Sequence, residues 1–153
     1  MATPEDRIAE LGLTLPEVVP PVAVYQPAVR SGDHVYVSGQ LPFVGGELPA
    51  TGKVGAEVDA EAAKDLAAVC ALNAIAAVRA EVGELSKVVR IVKVGGFVAS
   101  APDFTGHPGV INGASELLGQ VFGEAGVHAR AAVGVAALPL DAPVEVDMIV
   151  EVR

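Results

Sequence analysis

The chain is poor in the residues that staple, stack or hold polyanions. Its 153 residues include one cysteine, Cys70, so no internal disulfide can form. Tryptophan is absent and aromatic residues make up 4%, so a core must come from many small aliphatic contacts and close backbone approach. Ten basic residues stand against 19 acidic ones, for a formal net charge of −9, and the basic residues are scattered rather than clustered. Nucleic acid is therefore a poor partner, because phosphate recognition needs a basic patch. The three histidines, His34, His107 and His128, are far apart and show no zinc-ligand spacing, so neither a metal nor a cofactor is expected. Charges, glycines or prolines interrupt every apolar run before the ~20 residues of a membrane span, and the opening residues lack the basic and apolar regions of a secretory signal. The expected location is the cytoplasm.

What the chain does have is a composition that can bury a core: 52% hydrophobic residues, many of them Ala and Val, and 19% charged. We expect a single domain over residues 1–153, with residues 1–21 as an N-terminal extension. Thr3 before Pro4, Glu5 and Asp6 is a helix start, and the short helix stops at Gly12. Pro16, Pro20 and Pro21 make a connector. Residues 22–41 read as a β-hairpin about Arg30-Ser31-Gly32-Asp33. A long helix is expected over 57–82, with Val58, Ala62, Leu66, Val69, Leu72 and Ala76 as its apolar stripe. Residues 88–98 suit a central strand covered on both faces, and residues 107–125 a second helix. Strands over 130–138 and 144–152 complete the chain and read as a hairpin. In the second, Val144, Val146, Met148, Val150 and Val152 alternate with Glu145, Asp147, Ile149 and Glu151, one face apolar and the other acidic. The expected class is α+β, a mixed sheet with two helices packed on one face.

Several residues could carry chemistry. Arg130 shares a strand face with Ala132, Gly134 and Ala136, which leaves room for its guanidinium to grip a carboxylate through two parallel hydrogen bonds. A symmetric hairpin would set it opposite Glu151, so a structural ion pair stands as the alternative. Glu145 could hold a water or act as general acid or base if its pKa is raised, or be a solvated carboxylate. Tyr25 lies near the first strand, and Ser38-Gly39-Gln40 reads either as exposed backbone donors or as a bulge relieved by Gly39. His107, beside Pro108 at a helix start, reads as an acid/base or as a helix cap or surface group, and His128 before Arg130 is equally open. Asn112 lies within the second helix. Cys70, in an Ala-rich helix, reads as a buried and inert thiol.

The run Ala129-Arg130-Ala-Ala-Val-Gly-Val-Ala-Ala-Leu138-Pro139-Leu-Asp-Ala-Pro-Val144-Glu145-Val resembles the signature of the reactive intermediate deaminase (Rid, YjgF-like) family. Tyr25, Ser38-Gly39-Gln40-Leu41-Pro42 and Asn112 fall at the family's spacing, so the resemblance covers roughly residues 22–153. It implies a chorismate-mutase-like fold assembled as a homotrimer with three clefts between subunits. In members that hydrolyse 2-aminoacrylate and related enamines or imines to keto acids and ammonia, the residue matching Arg130 binds the substrate carboxylate. The one matching Glu145 helps place the attacking water, and those matching Tyr25, Ser38, Gly39 and Asn112 line the cleft. This chain has Ala132 where many deaminating members carry cysteine, and residues 106–130 look like a distinct branch. Enamine/imine deaminase and non-catalytic binder of a small carboxylate are the two leading readings, with endoribonuclease third.

Overall fold

The computed structural model describes residues 1–18 and 23–153; Pro20 and Pro21 of the expected connector, and Val22 at the expected hairpin start, lie outside the described residues. The first helix, α1 (Pro4–Glu10), starts as its sequence requires. Asp6 N–H donates to Thr3 Oγ1 at 3.1 Å while Thr3 N–H donates to Asp6 Oδ2 at 3.0 Å, a reciprocal cap that satisfies two otherwise orphaned donors. Ile8 carries the apolar side of α1 into the core, and Arg7 Nη1 donates to the carbonyl of Val121 at 3.3 Å.

Five strands form one mixed sheet: β1 (Ala28–Ser31), β2 (His34–Gln40), β3 (Val88–Ala99), β4 (Ala129–Val135) and β5 (Val144–Val152), in the spatial order β1-β2-β5-β3-β4. The first hairpin turns at Gly32-Asp33 as expected, with Ser31 opposite His34. The second expected hairpin does not form. β5 lies between β2 and β3, antiparallel to both, and β4 pairs in parallel with β3 at the far edge. A parallel pair needs a long crossover, and residues 100–128 supply it. The link from β4 to β5 steps over β3, with Leu140 and Asp141 held at φ 59° and 58°. Arg130 therefore lies beside Val94, while Glu151 lies opposite His34 on one side and Arg90 on the other.

Two helices cover one face of the sheet: α2 (Ala60–Val82) and α3 (His107–Phe122). Asp59 caps α2 by accepting from Ala62 N–H at 2.8 Å, so the helix begins at Ala60, three residues after the expected start at 57. Its buried stripe is also shifted. Ala63, Leu66, Ala67, Cys70, Ala71, Ala74, Ile75 and Val78 face the core, Ala62 is exposed, and Val69 and Leu72 are half-buried. With alanine on almost every side, the sequence offers little contrast from which to fix the phase of a helix. Small residues let the two helices meet closely: at Gly113 a Cβ would collide with the Lys64 carbonyl oxygen.

β5 alternates as expected, with Val144, Val146, Met148, Val150 and Val152 buried beneath the helices. β3 is covered on one face only, by burial of Ile91, Val94 and Val98. Its opposite face belongs to an open surface that includes Tyr36, 49% exposed, and Val133, 46% exposed. No helix among the described residues is long and apolar enough to cross a membrane.

Candidate functional site

Arg130 emerges from edge strand β4 on the helix-covered face, where α3 receives it. Its Nη1 donates to Asn112 Oδ1 at 2.8 Å and to Ser115 Oγ at 3.2 Å, and Nη2 lies 3.5 Å from the carbonyl oxygen of Pro108. Asn112 and Ser115 are three residues apart, hence neighbours on one side of α3. All three acceptors are uncharged. Among the described residues the ion pairs are Lys53–Asp141, Lys64–Glu116 and Arg79–Glu5, so no carboxylate neutralises Arg130 and the alternative of a pair with Glu151 is set aside. The two Nη1 hydrogens are taken. Nε has no partner among the described residues and Nη2 has only its 3.5 Å contact with Pro108, so the Nε/Nη2 side is the one left for a fork of the kind that fits a carboxylate.

His128, two residues before Arg130, lies beside the same cluster. Its Nε2 is 2.9 Å from Ser115 Oγ and its Nδ1 is 2.6 Å from the carbonyl oxygen of Gly126. His107 does not cap α3; its Nε2 is 3.0 Å from Ser100 Oγ and its ring meets Phe104 edge-on at 5.4 Å. The expected room above β4 is taken at Gly134, where a Cβ would collide with His107.

The second group of candidates gathers elsewhere. β2 carries one extra residue against β5 between Val37 and Gln40, the bulge the sequence allowed for. Ser38 Oγ donates to the Gln26 carbonyl at 2.6 Å and Ser38 N–H to the Pro27 carbonyl at 2.9 Å, which ties the chain next to Tyr25 alongside the bulge. Tyr25 itself is 61% exposed. Gly39 is backed by the Glu145 carboxylate so closely that a Cβ there would collide with Oε2. Burial pushes the Glu145 carboxyl above its ordinary value and the charge of Asp147 adds to the rise. Burial likewise raises Asp147, opposed by the Gly95 N–H and by Lys93. A hollow of about 290 Å³ lined by Tyr36, Lys93, Gly95, Asp147 and Ile149 opens on this face; one of similar size by Lys64 and Glu116 on the helical side holds no candidate residue.

The structure thus brings Arg130 and Asn112 together, brings Ser38, Gly39 and Glu145 together, and separates the two groups. Cys70 is fully buried, its thiol pushed well up by burial and further by the charge of Glu145. Ser115 and Asp147 did not stand out in the sequence as site residues. The spacing of Ser115 from Asn112 on one helix, and the shared strand face of Glu145 and Asp147, were the available signals.

The family described as "YjgF/chorismate_mutase-like, putative endoribonuclease" matches residues 5–152. The chain is 45% identical over 150 residues to Protein TCP17 of Trypanosoma cruzi, covering 96% of this chain and 92% of that protein. It is 50% identical to Atu1372 of Agrobacterium tumefaciens, a protein of unknown function whose crystal structure superposes with a TM-score of 0.93, covering 98% of this chain and 92% of that one. The crystal structure of E. coli TdcF with bound serine is also similar, at 29% identity and a TM-score of 0.59, with 88% and 91% of the two chains covered.

Proposed function

This chain belongs to the YjgF/Rid family, and we propose that it hydrolyses small carboxylated enamines or imines, such as 2-aminoacrylate, to a keto acid and ammonia. The observation that carries the reading is the open Nε/Nη2 edge of Arg130, oriented by Asn112, Ser115 and the Pro108 carbonyl and neutralised by none of them. That edge holds the substrate carboxylate. Glu145, its pKa raised by burial and by Asp147, supplies a proton to the methylene carbon of the enamine. As a carboxylate it then takes a proton from the water that adds to the imine carbon. The carbinolamine expels ammonia and leaves the keto acid. Tyr25, Ser38, Gly39 and Asn112 line the cleft.

Arg130 and Glu145 project from opposite faces of the sheet, so the reading requires a second copy to bring them together. We propose a homotrimer with the clefts between subunits, its contacts made by the open face that carries Tyr36 and Val133. The cytoplasm suits a chain with one buried thiol and a metabolite-sized ligand. Ammonia release from freshly generated 2-aminoacrylate tests the reaction. Absence of release by the trimer, together with stabilisation by pyruvate in a thermal melt, supports the second reading, a non-catalytic binder of small carboxylates. That reading is favoured by Arg130 forming no ion pair with a carboxylate among the described residues of one chain. For an endoribonuclease the net charge of −9 is adverse; RNA cleavage that persists through repurification and vanishes in Arg130→Ala would support it.

A further inference from the structure

Building on the reading of Arg130 as a carboxylate anchor, we propose that Ser115 and His128 act as a positioning relay that fixes which edge of the guanidinium meets the ligand. The direction of every hydrogen bond follows from one end of the chain. A backbone carbonyl can only accept, so the 2.6 Å contact between His128 Nδ1 and the Gly126 oxygen places a hydrogen on Nδ1. In the neutral ring Nε2 then carries a lone pair and accepts the Ser115 hydroxyl hydrogen across 2.9 Å. With that hydrogen committed, Ser115 Oγ turns a lone pair towards Arg130 and accepts from Nη1 at 3.2 Å. Asn112 Oδ1 takes the other Nη1 hydrogen at 2.8 Å.

The anchor of the relay is rigid. Gly126 packs so closely beneath α3 that a Cβ would collide with the Leu118 carbonyl oxygen, and this contact holds the Gly126 carbonyl where His128 meets it. The consequence is geometric and electrostatic together. Because both Nη1 hydrogens are held, the end of the guanidinium formed by Nη1 and Nη2 cannot grip a ligand. The side formed by Nε and Nη2 can, and it retains its charge because Asn112, Ser115 and His128 bring no negative group to it. The ligand class that fits is a small monoanion with two coplanar oxygens, its carboxylate lying along the Nε/Nη2 edge.

Titration calorimetry of the full-length protein with pyruvate, alongside nitrogen NMR of His128, tests the relay. Ser115→Ala and His128→Leu should each weaken pyruvate binding about tenfold, the scale of one hydrogen bond to a charged group. The double variant should be no weaker than either single one, since both break the same chain. Ser115→Thr keeps the hydroxyl and His128→Gln offers an amide oxygen in place of Nε2, so both should bind close to wild type. A merely structural role would instead lower the melting temperature without rescue by these two variants. Wild-type His128 should be the neutral tautomer with its hydrogen on Nδ1, and a hydrogen on Nε2 would overturn the relay whether or not pyruvate binds. Normal binding by Ser115→Ala and His128→Leu, with binding lost in Arg130→Ala, would overturn the relay and leave the anchor standing. Normal binding by Arg130→Ala would overturn the anchor itself.

Discussion

Arg130 lies beside Val94 and reaches towards α3, whereas Glu145 lies opposite Phe97, three residues further along the same strand, and projects from the other face of the sheet. Two strand spacings of about 4.8 Å and three residues of about 3.3 Å rise separate their backbones by on the order of 14 Å before the opposed side chains are considered. A ligand the size of 2-aminoacrylate cannot span that distance. If both residues serve one reaction, they come from different copies of the chain.

Subunit mixing checks this directly. Arg130→Ala and Glu145→Gln should each be inactive alone, yet co-assembled in equal amounts they should recover about a quarter of the wild-type sites, the statistical share in which an intact arginine meets an intact glutamate across a cyclic interface. Ammonia release by mixed and unmixed proteins is the measurement. No recovery after confirmed subunit exchange would return both residues to a single chain or remove one of them from the site.

Arg130→Lys should bind pyruvate nearly as poorly as Arg130→Ala. One ammonium cannot reproduce a planar fork, and the expected loss is about 1.5–3 kcal/mol. Calorimetric titration reads it. Glu151→Gln serves as the control and should bind normally, because Glu151 lies against His34 and Arg90 rather than Arg130.

Glu145→Gln should lower turnover by ~100-fold or more while changing ligand affinity only a few-fold, since the amide keeps the shape but does not accept the proton. Steady-state ammonia release and pyruvate titration together separate the two effects. Equal turnover in wild type and variant would remove Glu145 from proton transfer.

Gly39→Ala should displace the Glu145 carboxylate, because the new methyl meets its Oε2. Since a flexible side-chain end can move aside, the loss of stability should be about 1 kcal/mol, the low end for atoms forced into a packed site. Denaturant unfolding measures it. Glu145→Ala should recover most of the loss in the double variant, as expected for two residues in direct contact. Additive losses would mean that the strain lies in the bulge backbone.

The raised pKa values of Glu145 and Asp147 make stability fall as pH rises. Below their ordinary values of 4.5 and 3.8, both groups hold protons in the folded and unfolded chains. Above that range the unfolded chain releases its protons first, so the folded state binds more of them and loses ground until its own raised values are passed. Glu145→Gln and Asp147→Asn should therefore melt above wild type at neutral pH, with the gain gone near about pH 3.5. A gain of the same size at both pH values would trace the effect to packing instead of charge.

The elements written in short-range patterns were legible in the sequence. Thr3 with Asp6 forms a cap from neighbouring residues alone, and the alternation of β5 declares its two faces because a strand repeats every second residue. Arg130 and Glu145 stood out for the same reason, as charged residues in otherwise apolar or alternating strands. The phase of α2 was not legible, since alanine fits either side. Nor was the pairing of β4. Its eight-residue link to β5, residues 136–143, is locally compatible with a hairpin, and only the placement of β3, which takes the second edge of β5 along nine paired positions, excludes it. That choice moved Arg130 away from Glu151, set it under α3, and put Ser115, Asn112 and His128 around its guanidinium. Sequence fixes local preferences through backbone geometry and hydrophobic period. Which distant residues meet is decided by packing one sheet against two helices, and in this protein that packing decides which edge of Arg130 is left free.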